Sequence, residues 1–394
     1  MREKTEKRKK RIVRRVPALA FALLWLLASV CGAGVPRTDG LPDIGTVFAA
    51  LPETGFFGDE ARTANALPVS VPAETDTETE KRLYPGGMLF GVRCATAGVL
   101  VAGLENVAEG VCPARDAGVC PGDVIREADG QEVTSVRALA DRFASDTDGR
   151  AVSLTVLRNG TTETFSVTPL RAADGVMRAG IRLRDNAAGI GTVTFIDPET
   201  NLFGGLGHGI CDADTGVLLP LSRGTTLGVD ICEIVRGSAG TPGELRGCLT
   251  PKRTGALAQN TECGVFGLFS DLPAGTAAEP LPVGAPEEVH EGDAALICTL
   301  DDTGPQTYGI KIIRLTHDAS SPTKNFVVKV TDPALLSQTG GIVQGMSGSP
   351  VIQDGKLIGA VTHVLVSDPA RGFGIFLDNM TRAASFGQAS EDAA

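Results

Sequence analysis

Ser347 lies in Gly345-Met346-Ser347-Gly348-Ser349-Pro350, between the apolar pairs Ile342-Val343 and Val351-Ile352. A serine hydroxyl is a weak nucleophile until a base takes its proton as it attacks. The reaction also needs N–H groups aimed at the oxyanion that forms. Glycines on both sides of Ser347 permit a turn that points several N–H groups at one spot. The chain offers four histidines as the base: His208, His290, His317 and His363. His208 sits in Gly204-Gly205-Leu206-Gly207-His208-Gly209-Ile210, where flanking glycines leave an imidazole accessible to a hydroxyl. His290 falls in the acidic run Glu287-Glu288-Val289-His290-Glu291, and His317 precedes Asp318 in a polar loop; both read as solvated. His363, in the strand Leu357–Leu365, is expected as a hydrogen-bonded core residue, with a wall of the substrate pocket as the alternative. An acid that fixes the base's tautomer completes such a site. The candidates are Asp332, in Thr331-Asp332-Pro333, and Asp212 or Asp214, which follow His208 closely.

These residues need a scaffold that brings distant segments together. From Ala173 to Phe386 short apolar runs recur between turn residues: 179–183, 191–196, 217–221, 264–269, 294–300, 309–315, 325–331, 341–344, 351–352, 357–365 and 372–376. Regular short strands of this kind predict a barrel or sandwich. A stretch of about 210 residues suits two packed barrels better than one small sandwich. Upstream, residues 83–170 read as a smaller α+β unit. Val136, Leu139 and Phe143 predict a helix over Ser135–Ser145. Asn159-Gly160 between Val152–Arg158 and Glu163–Thr168 predicts a hairpin.

Charge and hydropathy place the remainder. The net charge is −11. Residues 1–15 contribute +7, from nine Lys/Arg and two Glu, which leaves −18 on the rest. An acidic body argues against nucleic acid as a partner. The basic segment 1–15 precedes an uncharged apolar stretch over 16–35, about the length that spans a bilayer as a helix. Cations on its N-terminal side keep that end in the cytoplasm and set the body outside the membrane; anchor and signal peptide both remain open. Residues 36–82 read as a flexible stalk rich in Pro, Thr and acids. Residues 387–394 read as a frayed tail. The nine cysteines include no Cys-x-x-Cys, so no metal site is expected, and no cofactor either. An exported body permits disulfides, whose pairing the spacing does not reveal.

Two resemblances sharpen this reading. Ala117-Gly118-Val119 and Pro121-Gly122-Asp123-Val124-Ile125 resemble the PDZ domains attached to bacterial proteases. That resemblance implies an extended peptide bound on a sheet edge. Its end would be held by the loop Gly87, Met88, Leu89, Phe90 and Gly91. Three further runs, Gly207–Gly216, Gly340–Pro350 and Ile358–Val364, are similar to the stage IV sporulation protein B peptidase family. The resemblance implies a trypsin-like double β-barrel behind a membrane helix and a PDZ domain. It also implies catalytic His208, Asp332 and Ser347, an oxyanion hole at the N–H groups of Gly345 and Ser347, and a structural role for Ser349. The implied activity is a serine endopeptidase of spore formation, acting between the two forespore membranes. It would cleave itself and a membrane-bound regulator of an intramembrane protease, so releasing a late mother-cell sigma factor from its precursor. The competing expectation is a non-catalytic PDZ peptide reader with an inactive protease-like barrel.

Overall fold

The computed structural model describes residues 81–145, 149–316 and 321–384. The basic segment, the apolar stretch over 16–35, nearly all of the stalk, His317 and the tail lie outside them. Among the described residues no helix is long and apolar enough to cross a membrane.

Strands dominate. The first half of the chain forms β1 (Arg82–Pro85), β2 (Leu89–Leu104), a short helix α1 (Pro113–Asp116), β3 (Val124–Ala128) and β4 (Gln131–Glu132). These are followed by α2 (Val136–Ala144), β5 (Val152–Arg158), β6 (Thr161–Val167), β7 (Leu170–Arg171) and β8 (Met177–Arg178). Next come β9 (Ile181–Ile196), β10 (Leu202–Gly205), β11 (Leu221–Val235), β12 (Glu244–Thr261), β13 (Gly264–Phe269) and β14 (Leu281–Pro282). The last part holds β15 (Gly292–Thr299), β16 (Pro305–Leu315), β17 (Phe326–Val330), α3 (Pro333–Thr339), β18 (Pro350–Gln353), β19 (Lys356–Val364), β20 (Arg371–Phe376) and α4 (Leu377–Ala383).

Two barrels result. Strands β15, β16, β17, β20, β19 and β18 close into one, sealed where Ala295 and Leu296 pair with Ile352 and Val351. Its interior holds Leu296, Ile310, Phe326, Val328 and Val361, all at most 1 % exposed. The other is a circuit of β2, β11, β12, β13, β10 and β9, sealed by the pairing of β9 with β2. Closure leaves no bare sheet edge around either core.

The expected helix and hairpin of the small unit are present. Ser135 caps α2 by accepting the Ala138 N–H, and Leu139 and Phe143 are buried. Asn159 (φ 49°) and Gly160 (φ 80°) make the left-handed turn between β5 and β6. The Pro121-Gly122-Asp123 run has a physical role: buried Asp123 accepts from the Cys120 N–H (2.8 Å) and from Arg158 Nε (2.6 Å) and Nη2 (2.7 Å).

Within the expected 83–170, strand β2 serves both this unit and the first barrel. Leu89–Ala95 pairs with Thr192–Asn186 inside the first barrel, while Leu100–Leu104 pairs with Arg184–Ile181 beside the small unit's core. The stalk ends earlier than expected, since Arg82 already pairs with Pro282. The segments at 217–220 and 341–344 are not strands, apart from isolated bridges at Leu218 and Gln344. The sequence reading missed most of β11 and β12, whose glycines, charges and threonines hide their strand character.

Candidate active site

The serine turn belongs to the second barrel, but the first barrel shapes it. Thr192 of β9 donates its N–H to the Ser347 carbonyl (3.0 Å) and its hydroxyl to the Gly345 carbonyl (2.8 Å). Thr194 donates its hydroxyl to the Gly348 carbonyl (2.8 Å). Both threonines are fully buried. Gly348 has φ +97°, and a Cβ there would meet the Thr192 carbonyl and the Leu206 amide. Only glycine fits so close to the loop that carries His208.

The peptide planes set the direction of the N–H groups. The Gln344 carbonyl accepts from Leu245 N (2.8 Å), and the Met346 carbonyl accepts from Ser349 N (2.9 Å). In a trans peptide the N–H points opposite the carbonyl. The N–H groups of Gly345 and Ser347 are thus turned away from those partners, and among the described residues neither meets an acceptor. The intervening Met346 N–H is spent on Val343 O (3.1 Å). Ser349, the second serine of the turn, is fully buried, which fits a structural position.

The Ser347 hydroxyl donates to the Thr362 carbonyl (2.7 Å). The next residue is His363, whose ring centroid lies 5.0 Å from that of His208. The structure therefore brings Ser347, His208 and His363 into one neighbourhood, with the serine hydroxyl parked on a main-chain oxygen. Of the two positions expected for His363, the core one is corrected: the residue keeps an exposed face beside the site. Partial desolvation of its ring, then repulsion from His208 and Lys324, pushes its pKa down to about 4. Burial also lowers the His208 pKa, against a smaller opposite effect of the Gly209 carbonyl. His208 Nδ1 lies 3.0 Å from that carbonyl. A carbonyl only accepts, so Nδ1 carries the hydrogen and Nε2 keeps its lone pair.

Among the described residues no hydrogen bond joins Asp332, the acid expected behind the base, to His208. The Asp332 carboxylate caps α3, accepting from Ala334 N (2.8 Å) and Leu335 N (3.4 Å), and also takes the Gly309 N–H (3.2 Å). These N–H groups, Gly309 first, hold its pKa below the usual carboxylate range. Helix N-termini leave free N–H groups, and an Asp before Pro at the first helical position is well suited to meet them. The rival Asp212 is engaged too. Its side chain is buried, pairs with Arg184, and accepts from Asp214 N, Thr215 N and Thr215 Oγ1. Asp214 also pairs with Arg184, at 3.1 Å. Among the described residues no hydrogen bond or ion pair joins any carboxylate to His208.

The loop Gly87–Gly91 is corrected as well. Gly86 and Gly87 donate to the Thr194 and Val193 carbonyls (2.9 and 2.8 Å), and Leu89, Phe90 and Gly91 pair with Thr192, Gly191 and Ile190. Phe90 is buried. These donors build the first barrel and are not open to a peptide carboxylate. His290 is at the surface as expected, its Nε2 2.8 Å from Asp354.

Sequence reasoning missed Thr192, Thr194 and Thr362. The available signal was a threonine pair alternating with apolar residues in Gly191–Ile196. It missed, too, the arm made by the ends of β11 and β12, stapled by the Cys232–Cys248 disulfide. That arm reaches the serine loop: Gly237 N donates to Thr339 O (2.8 Å), Gln344 N to Gly243 O (2.9 Å), and Leu245 packs with Val343 and Met346.

No curated protein matches this chain. Among solved structures, the PDZ domain of an SdrC-like protein of Listeria monocytogenes is 25 % identical, covering 22 % of this chain and 87 % of that one, with a TM-score of 0.20. The corresponding domain of Listeria innocua is 27 % identical, covering 22 % and 93 %, with the same TM-score of 0.20. A serine-to-alanine mutant of Rv3671c from Mycobacterium tuberculosis, in an inactive form, is 14 % identical, covering 50 % and 83 %, with a TM-score of 0.26. Family models are more decisive. A PDZ domain model matches residues 86–168. The SpoIVB peptidase S55 model matches residues 175–381, more than half of the chain and the whole span from His208 to Ser347. The chain is therefore a serine endopeptidase that belongs to the SpoIVB peptidase S55 family and carries a PDZ domain.

Proposed function

We propose that this chain is a signalling endopeptidase of spore formation, with Ser347 as nucleophile and His208 as general base. Ser347 Oγ leaves the Thr362 carbonyl, gives its proton to His208 Nε2 and attacks the scissile carbonyl carbon. The N–H groups of Gly345 and Ser347 receive the oxyanion. When the tetrahedral species collapses, the C–N bond breaks and His208 returns the proton to the leaving amine. Water then repeats the sequence on the acyl-enzyme. The observation that carries this reading is the serine turn held from the first barrel, with two unspent N–H groups beside a histidine whose Nε2 is free to accept.

The biological role rests on the family. The substrate is a membrane-bound regulator of an intramembrane protease, and cleavage leads to processing of a late mother-cell sigma-factor precursor. A second substrate is the chain itself, cut within the stalk. The body acts between the forespore membranes, delivered by the apolar segment over 16–35. The PDZ domain engages protein partners there.

Two experiments separate these levels. In the purified full chain, a biotinylated fluorophosphonate is expected to label Ser347, and His208→Ala to abolish labelling. Labelling that ignores His208 rejects the chemistry. In a sporulating host, Ser347→Ala is expected to leave the sigma-factor precursor unprocessed. Normal processing rejects the signalling role and leaves the chemistry standing.

A further inference from the structure

Among the described residues the polar partner of the His208 ring is the Gly209 carbonyl, and the loop that carries this carbonyl is itself held. Asn260 is the penultimate residue of β12, and its side chain faces the loop that follows His208. Oδ1 accepts the Ile210 N–H (2.8 Å). Nδ2 donates to the Ile210 carbonyl (2.9 Å) and to the Leu219 carbonyl (2.8 Å). One side chain thus takes both main-chain groups of Ile210, and both of its own donors are spent.

The consequence runs through a single peptide plane. The Ile210 N–H and the Gly209 carbonyl belong to the same planar unit and point in opposite directions. Fixing the N–H on Asn260 therefore fixes the carbonyl, which meets His208 Nδ1 at 3.0 Å. The result is one polar chain, from Asn260 Oδ1 through the Gly209–Ile210 peptide to the imidazole. The adjoining turn limits the loop from the other side: a Cβ on Gly209 would stand 2.7 Å from the Thr261 carbonyl.

We infer that Asn260 is a positioning residue of the general base, clamping the Gly209–Ile210 peptide whose carbonyl meets the imidazole. The inference rests on the reading of His208 as base. Asparagine suits the position because it accepts from one group and donates to two. Aspartate would keep the acceptor, lose both donors and face two carbonyls with negative charge. Without the clamp the peptide can rotate, and the Nε2–H tautomer, which cannot take a proton from Ser347, becomes populated.

The test uses the full chain with Asn260→Ala and Asn260→Leu, which both remove the acceptor and the donors without adding charge, and a biotinylated fluorophosphonate as probe. The maximal labelling rate is expected to fall about 10- to 100-fold, the scale on which misplaced catalytic groups lose rate. The half-saturating probe concentration should stay within about twofold. The acid limb of the labelling rate should move to lower pH, because the Gly209 carbonyl that raises the His208 pKa is released; His363, the titratable neighbour, is untouched. A merely structural residue would lower the melting temperature and leave that limb in place. Folded variants with the wild-type rate and limb overturn the inference while His208→Ala stays inactive. A His208→Ala protein that labels normally instead overturns the base itself. If neither variant folds, hydrogen exchange in the wild-type chain decides: the Ile210 amide is expected to be protected, and exchange at the rate of an open loop amide overturns the clamp.

Discussion

Thr192 of the first barrel grips the Ser347 turn of the second through two bonds, N–H to the Ser347 carbonyl and hydroxyl to the Gly345 carbonyl. The nucleophile's turn is thus shaped across the barrel interface. Thr192→Val keeps the volume and removes only the hydroxyl, leaving the part-buried Gly345 carbonyl without its partner. A buried unsatisfied group costs about 1–3 kcal/mol. Relaxation of that carbonyl would swing the Gly345–Met346 peptide. The expected outcome is a labelling rate about 10-fold or more below wild type with Ser347 still present. An unchanged rate would show that the turn holds its own shape.

Asp332 gives a prediction of opposite character. As the cap of α3 it stabilises the helix, and Asp332→Ala is expected to cost about 0.5–2 kcal/mol. Asparagine keeps the cap and loses only the acceptor for the Gly309 N–H, so Asp332→Asn should cost less stability than Asp332→Ala and keep the labelling rate. A carboxylate that oriented His208 would behave differently, with Asp332→Asn losing orders of magnitude in rate at unchanged stability. Measuring melting temperature and labelling rate together decides between the two roles.

The fold and the nucleophile were legible because their signals are local. Alternating apolar runs mark most strands, and Gly-x-Ser-Gly marks a turn with spare N–H groups. Asn159-Gly160 marks its hairpin by backbone conformation alone. The partners of the site were less legible, since Thr192, Asn260 and Thr362 act through main-chain bonds made between distant segments. Asp332 illustrates the limit: Asp-Pro is equally good as a helix cap and as a candidate acid, and only the contacts separate them. The PDZ loop failed for a related reason. Its glycines do permit close approach, but what approaches is the β9 main chain of the first barrel.

The pH dependence follows from His208. Burial holds its pKa below the ordinary histidine value, so the base is neutral at pH 7. The acid limb of the activity should therefore lie below the ordinary histidine value of about 6.5. His363, with a pKa of about 4, stays neutral near that value. For stability the sign is the same. Above about pH 6.5 both rings are neutral whether folded or unfolded. Below it the unfolded chain takes up protons that the folded chain refuses, so stability is lost as pH falls. A labelling-rate profile with its acid limb at or above pH 6.5 would contradict the buried setting of His208.

The stapled arm supplies the last prediction. Beyond Leu227 the ends of β11 and β12 leave the first barrel's β2 and run as a two-stranded ribbon to the second barrel. Their far end is fastened to the serine loop by Gly237, Gly243 and Leu245, the last buried at 1 % exposure. An isolated two-stranded ribbon is marginal in water, and Cys232–Cys248 closes it near the middle. Both cysteines are exposed, so a thiol reductant can reach them. Opening the bond in Cys232→Ser/Cys248→Ser should loosen the arm, and with it the Gln344 carbonyl that aims the Gly345 N–H. We expect a labelling rate lowered several-fold or more, and matched by reduction of the wild-type chain, while both barrel cores stay folded by near-ultraviolet circular dichroism. Equal rates before and after reduction would mean that Leu245 and the ribbon's own hydrogen bonds hold the loop unaided.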